Sequence, residues 1–360
     1  MPAHMTHSFN HRPKRSRKNI VLAIIAAVFV FLVIGGALWF NVSPTPSALI
    51  VRGVLDNDAK SLDQAQQEFV GNNLAVSTAE NIRYREEGEL SLFDVYVPTK
   101  AFDENEELPL IIWTHGGAWI SGDKSYNTAY FRLLASKGFV VVALNYDLAP
   151  EHTYDYQLHQ INEAHGYLID HAAEFNIDIN KIVLAGSSAG AQLSAQLAAL
   201  ITNKSYAEEL NILPQLDAQQ LSAVVLYSGI YDMQKLASAE GISSSLIAWG
   251  FKTATWAYTG ERSPSNFALY QASVIHHLDS KFPPSFISGG NGDALTKLQS
   301  IPFAASLENH NVEVVTRFFA DNHKPELKHE NQFVFDDDGI KTFEAMCVFL
   351  ENTHRTNENK

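Results

Sequence analysis

The sequence predicts an α/β fold: a mostly parallel central sheet flanked by helices, with one transmembrane helix in front of it. Three observations carry this. Short apolar runs alternate with helical patterns along most of the chain. A Gly-Ser-Ser-Ala-Gly pentapeptide stands where one such run meets a helix. An uncharged apolar stretch of 21 residues, 20–40, lies near the N-terminus.

The runs come in order at 90–97, 110–113, 139–144, 182–185, 223–226, 285–288 and 312–319. Residues 90–97 alternate apolar and polar side chains, as a half-exposed strand does. The runs from 110 to 226 are almost wholly apolar, as strands buried on both faces are. Helical patterns fall at 125–137, 156–174, 189–203, 295–309 and 338–351, with a weaker one at 60–70. That rhythm of strand and helix argues for a parallel sheet covered by helices. Residues 229–275 break it with apolar and aromatic residues at no strand spacing. An insertion there, beside the C-terminal edge of the strands, is expected to form a cap or pocket wall.

Composition agrees. The chain has 360 residues, 46% hydrophobic and 18% charged, enough for one large core. Ordinary Gly and Pro and a single cysteine exclude collagen-like, disordered and disulfide-scaffold classes. Cys347 sits in an apolar stretch and reads as a buried small hydrophobe.

Residues 1–18 carry Arg12, Lys14, Arg15, Arg17 and Lys18 and no acid; removing those five positive charges from the total of −14 leaves −19 for residues 19–360. So acidic a body repels polyanions, which argues against nucleic acid as a partner. At about 1.5 Å per residue, residues 20–40 span a hydrocarbon layer of ~30 Å. They end in Leu38-Trp39-Phe40-Asn41 with no small-residue cleavage site, so an uncleaved anchor is expected. The basic residues before it should stay cytoplasmic and send the body across the membrane. The expected plan is a basic tail at 1–18, an anchor at 19–40, a linker and N-terminal cap segment at 41–75, and the main domain at 76–355. Within 41–75, the Pro/Ser-rich residues 41–49 read as the linker proper.

The chemistry centres on Gly186-Ser187-Ser188-Ala189-Gly190, which follows an apolar run and opens a helical pattern. Small residues on both sides of Ser188 permit a sharp strand-to-helix turn that presents its hydroxyl at a helix N-terminus. About seventy residues upstream, His115-Gly116-Gly117-Ala118-Trp119 also follows a strand. Glycines there let backbone N–H groups turn toward a small anion, so the N–H groups of Gly116, Gly117 and Ala189 are the expected oxyanion hole. An acid and a histidine should follow in that order. Gly289-Gly290-Asn291-Gly292-Asp293 leaves the 285–288 strand and delivers Asp293 at the same edge. Beyond the last strand stand His323 and His329, either of which can serve as base. The acids Asp336, Asp337 and Asp338 read as a helix start, and the other histidines, His276 and His277 among them, as surface or polar-core residues.

Together these residues resemble the hormone-sensitive-lipase-like esterases of the α/β-hydrolase superfamily. The resemblance covers about residues 80–352. It rests on the 115–119 motif, on Asn145-Tyr146-Asp147-Leu148-Ala149-Pro150-Glu151-His152, on the Ser188 pentapeptide, on Gly292-Asp293 and on His329-Glu330. It implies a catalytic triad of Ser188, Asp293 and His329, favouring His329 over His323. It also implies an oxyanion hole in the first motif, no metal or other cofactor, and short-chain ester or sometimes amide substrates of small size. Membrane-anchored relatives belong to the same group. Two positions depart from its pattern: Asp147 replaces the usual Arg, and Ser187 stands where Asp is common. The expected function is a carboxylic ester hydrolase. An amidase or deformylase with the same triad and a non-catalytic binding ectodomain are the alternatives, and neither the natural substrate nor the oligomeric state is legible.

Overall fold

A computed structural model describes residues 17–71 and 73–358. Its centre is an eight-stranded sheet of β1 (Val76–Arg83), β2 (Leu92–Pro98), β3 (Leu108–Thr114), β4 (Val140–Leu144), β5 (Ile177–Ser187), β6 (Leu221–Tyr227), β7 (Ser285–Gly289) and β8 (Val314–Phe318). The spatial order is β1-β2-β4-β3-β5-β6-β7-β8. β2 runs antiparallel to β1 and β4, and every other pairing is parallel. The expected mostly parallel sheet is therefore present. β3, β4, β6 and the second half of β5 are almost wholly apolar because helices cover both faces.

Strand alternation sends side chains to two cores. Leu110, Ile112, Val142, Leu184 and Leu226 pack on one side, with α5 (Tyr156–Asp170) and α6 (Ala189–Thr202). Ile111, Trp113, Val141, Val183 and Val225 pack on the other, with α4 (Thr128–Ala135) and α12 (Asp337–Glu358). Trp113 is the hub of the second core, within 5.7 Å (ring centroids) of Tyr130, Phe131, Tyr227 and Phe333. Cys347 is buried there as a free thiol, and burial pushes its pKa up to about 12.

Differences from the expected elements have local causes. β1 departs from the expected runs: its Thr, Glu and Asn side chains face solvent on an edge strand, leaving no apolar alternation to read. Residues 41–49, expected as linker, are nearly all helical. The N-terminal helix α1 (Arg17–Val42) gives way at Ser43 and Pro44, and α2 (Thr45–Val70) starts at once. Pro46 lies in the first turn of α2, where a missing N–H leaves no helical bond unmade. The pattern at 60–70 is only the second half of that helix. Its first half is fixed to the domain by Arg52, which donates to Glu151 Oε2 (2.7 Å), to Ala149 O (2.9 Å) and to Ile120 O.

Residues 229–275 lie between β6 and β7. They hold α8 (Met233–Ser238), α9 (Ser245–Thr259) and α10 (Phe267–Gln271), the last two entered by Ser244 and Asn266 side-chain caps. His277, just beyond, is buried and stacked on Tyr206 at 3.8 Å. Within α1, the 19 residues Ile24–Val42 form one helix long and apolar enough to cross a membrane, and none of its most apolar stretch is buried. The basic tail falls mostly outside the described residues, with only Arg17 and Lys18 inside them.

Replacing Trp113 by Ala removes the hub of the second core, and it should lower the unfolding free energy by about 3–5 kcal/mol in chemical denaturation.

Candidate active site

The site is built at the C-terminal ends of the parallel strands. β5 ends at Ser187 and α6 begins at Ala189, so one residue, Ser188, makes the whole turn. Its φ of 52° and ψ of −118° lie where side-chain-bearing residues rarely go. Two glycines make the turn possible. A Cβ on Gly186 would sit 2.5 Å from the carbonyl carbon of Gly190, and one on Gly190 would sit 2.0 Å from Thr114 O. The Ser188 N–H donates to Tyr227 O at 2.8 Å, tying the turn to β6.

The structure brings Ser188, His329 and Asp293 together. His329 Nε2 lies 3.0 Å from Ser188 Oγ, and His329 Nδ1 lies 2.8 Å from Asp293 Oδ2. A carboxylate accepts only, so Nδ1 carries the proton, and Nε2 of the neutral ring accepts from the serine hydroxyl. Asp293 is buried, and Oδ1 takes the Leu295 N–H at 2.9 Å. Burial alone would raise its pKa. The His329 charge and hydrogen bond, the Leu295 N–H and Ser228 outweigh burial and hold it below the usual carboxylate range. For His329 burial works downward, but the charge and hydrogen bond of Asp293, with the charge of Glu330, hold the imidazole above its ordinary value. His323 is not in this group: its Nε2 pairs with Asp338 Oδ2 at 2.7 Å, at the start of α12. Asp338 thus has a partner besides its place in the helix start.

The 115–119 loop lies against the serine. A Cβ on Gly116 would be 3.2 Å from Ser188 Cβ. Gly117 has φ 111°, and a Cβ there would be 2.1 Å from Ser121 O, so the turn closes only with glycine. Ala118 and Trp119 also have positive φ, 54° and 61°. The loop is braced from behind by Tyr146, whose hydroxyl donates to His115 O at 3.1 Å and whose ring stacks on His115 at 4.3 Å. Burial lowers the His115 pKa and keeps that ring neutral. Ala189, the third expected oxyanion donor, directly follows Ser188 as the first residue of α6.

Of two further neighbours, Ser228 escaped the sequence reading and Glu330 entered it only as part of the His329-Glu330 segment, with no role. Ser228, with φ 49°, follows β6 and accepts the Glu330 N–H at 3.2 Å. Glu330 directly follows His329, and its carboxylate reaches the face of Gly116. Only position pointed to either: one ends a strand beside Ser188, the other adjoins a candidate histidine. Asp147, unusual for the resembled group, has an internal task. Its carboxylate accepts from Leu90 N (2.9 Å), Gln160 Nε2 (3.2 Å) and Tyr156 OH (3.3 Å). Among the described residues, no group of three or more His, Cys, Asp or Glu side chains is placed to hold a metal ion.

Comparison with known proteins bears on this geometry. The profile of the BD-FAE family matches residues 93–307, from β2 through α11 (Ile301–Asn309) and more than half of the chain. The chain belongs to the BD-FAE family. The match includes Ser188 and Asp293 and ends before His329. Over 221 residues the chain is 27% identical to a protein named esterase from Gibberella moniliformis, covering 58% of this chain and 64% of that one. Over 158 residues it is 34% identical to a kynurenine formamidase of Salmo salar, covering 44% and 48%. The matches thus span less than two thirds of either relative's length. The crystal structure of esterase B from Lactobacillus rhamnosis superposes with a TM-score of 0.70 at 22% identity, over 87% of this chain and 98% of that one. This member of the BD-FAE family has the α/β-hydrolase fold.

The elevated imidazole pKa depends on Asp293. In Asp293→Asn, the His329 titration followed by NMR should move to lower pH by at least about one unit. The sign also fixes the linkage. With the folded-state pKa above the unfolded one, this imidazole's contribution to stability is full below about pH 6.5 and is lost as pH rises through the folded-state value.

Proposed function

We propose that this protein is a serine carboxylesterase acting on small, short-chain esters, with Ser188 as nucleophile, His329 as base and Asp293 as the acid that orients it. The observation that carries the reading is the unbroken hydrogen-bonded series from Asp293 Oδ2 through His329 to Ser188 Oγ, at 2.8 and 3.0 Å, on a serine held in a strained turn. Names of relatives and solved structures that include esterases support it further.

In this reading Ser188 Oγ attacks the acyl carbon while His329 Nε2 takes its proton. The negative oxygen of the tetrahedral intermediate accepts from the N–H groups of Gly116, Gly117 and Ala189. His329 returns the proton to the departing alkoxide, leaving an acyl-serine. A water molecule, deprotonated by His329, then attacks that acyl group, and Ser188 regains its proton as the acid departs. The low Asp293 pKa keeps its carboxylate charged beside the imidazolium at both steps. No step draws on a cofactor.

An amide or formamide substrate passes through the same steps with an amine leaving. The kynurenine formamidase relative favours keeping this as the second reading. A binding-only ectodomain would have no need of a strained serine bonded to a carboxylate-oriented histidine. The finer kinship, to the hormone-sensitive-lipase-like esterases, is part of the proposal. Residues 229–275 are proposed as a cap over the site, supported by Tyr258 of α9 stacking at 4.7 Å on Trp119 of the oxyanion motif. α1 is proposed to cross the membrane once. The tail would then be cytoplasmic and the hydrolase domain outside the cytoplasm, in the periplasm if the cell is bacterial.

Hydrolysis of p-nitrophenyl acetate, butyrate and octanoate tests the catalytic assignment. Ser188→Ala and His329→Ala should each lower kcat by about four orders of magnitude or more, and His323→Ala should keep nearly all of it. Equal rates in wild type and Ser188→Ala would overturn the assignment. For the anchor, alkaline carbonate should leave the full-length protein in the membrane pellet, and its release into the supernatant would refute a spanning α1.

A further inference from the structure

Glu330 occupies an unusual place for a carboxylate. It follows the proposed base directly, and its φ of 57° is uncommon for a residue with a side chain. That backbone is held by the Ser228 hydroxyl, which accepts the Glu330 N–H. The side chain is half-buried and turns inward, not to open solvent. Its Oε1 lies 2.8 Å from the point where a Cβ on Gly116 would stand, and Ser188 Cβ lies 3.2 Å from that same point. The carboxylate is thus within about 6 Å of the nucleophile's Cβ, where a full charge is felt strongly in a partly desolvated site. Among the described residues, the carboxylate has no ion-pair or side-chain hydrogen-bond partner.

For an uncharged ester this arrangement is unfavourable. The tetrahedral intermediate develops a negative oxygen next to Gly116, and Glu330 repels it. The imidazolium that forms at the same time is matched mainly by Asp293 and only in smaller part by Glu330, so most of the Glu330 charge is left as surplus. A cationic group on the substrate removes the surplus and supplies the partner that the fold does not. Gly116 has no side chain to block the approach. We propose that Glu330 is an anionic subsite that selects esters carrying an ammonium group close to the scissile carbonyl. The proposal rests on the triad reading above and adds a substrate class to it.

The experiment uses the full-length protein in detergent and two pairs of near-isosteric esters. Acetylthiocholine against 3,3-dimethylbutyl thioacetate places the cation on the leaving-group side. Glycine ethyl ester against ethyl propionate, at pH 7, places it on the acyl side. Wild type should favour the cationic member of at least one pair by about tenfold in kcat/KM, and the preference should shrink as salt is added. Glu330→Gln keeps the shape and removes the charge. It should abolish the preference, lowering kcat/KM for the cationic ester and raising it for the neutral one, which a purely structural role would not do. A ratio unchanged by Glu330→Gln in both pairs overturns the subsite while leaving the triad intact. So does failure to hydrolyse either cationic ester when p-nitrophenyl acetate is turned over. If Ser188→Ala hydrolyses these esters as fast as wild type, the triad reading has failed and the subsite fails with it.

Discussion

The contact between Gly190 and the backbone of Thr114 sets the geometry on which the site depends. β5 must end and α6 must begin within a single residue, and the first turn of the helix then presses against the end of β3 with no room for a methyl group. Because β3 also leads into the 115–119 loop, the same close approach that raises Ser188 brings Gly116 beside it. The placement of Ser188 and that of the 115–119 loop are consequences of one packing event between adjacent parallel strands. Asp293 and Glu330 reach the site from farther along the sheet, after β7 and β8, and their positions rely on loops in place of strand register.

That division explains what the sequence disclosed. The central strands were legible because two-sided burial makes them apolar, and the turn at Ser188 was legible because only small residues permit it. Asp293 was legible through the glycines of its loop: a Cβ on Gly290 would meet Leu327 O at 2.3 Å. His329 and His323 looked alike, since both follow β8 in a loop without periodicity. Three-dimensional neighbours separate them, Asp293 for one and Asp338 for the other. β1 and the start of α2 were hidden for a different reason. One is an edge strand with mostly polar side chains, and the other opens with prolines that read locally as linker.

Ser228 and Glu330 show where local pattern has nothing to offer. Each has a left-handed backbone conformation without being glycine; the Ser228 hydroxyl accepts the Glu330 N–H, and the Ser228 N–H donates to Ser288 O at 2.8 Å. A pair 102 residues apart in sequence leaves no trace in either segment alone. Both also act electrostatically on the Asp293–His329 pair, Ser228 by stabilising the charged Asp293 and Glu330 by favouring the charged His329.

The grip of Arg52 has a mechanical meaning. It fastens α2 to Ile120, Ala149 and Glu151, and α2 is separated from the end of α1 by only Ser43 and Pro44. If α1 lies in a bilayer, as proposed, the domain would stand on a short mount and not on a leash. It would then not swing far from the lipid or sample distant substrates by tumbling on a flexible stalk. Two helices and one arginine would limit the height and tilt of its Ser188 edge above the headgroups, so what reaches Ser188 would be drawn from the thin layer of solution next to the membrane.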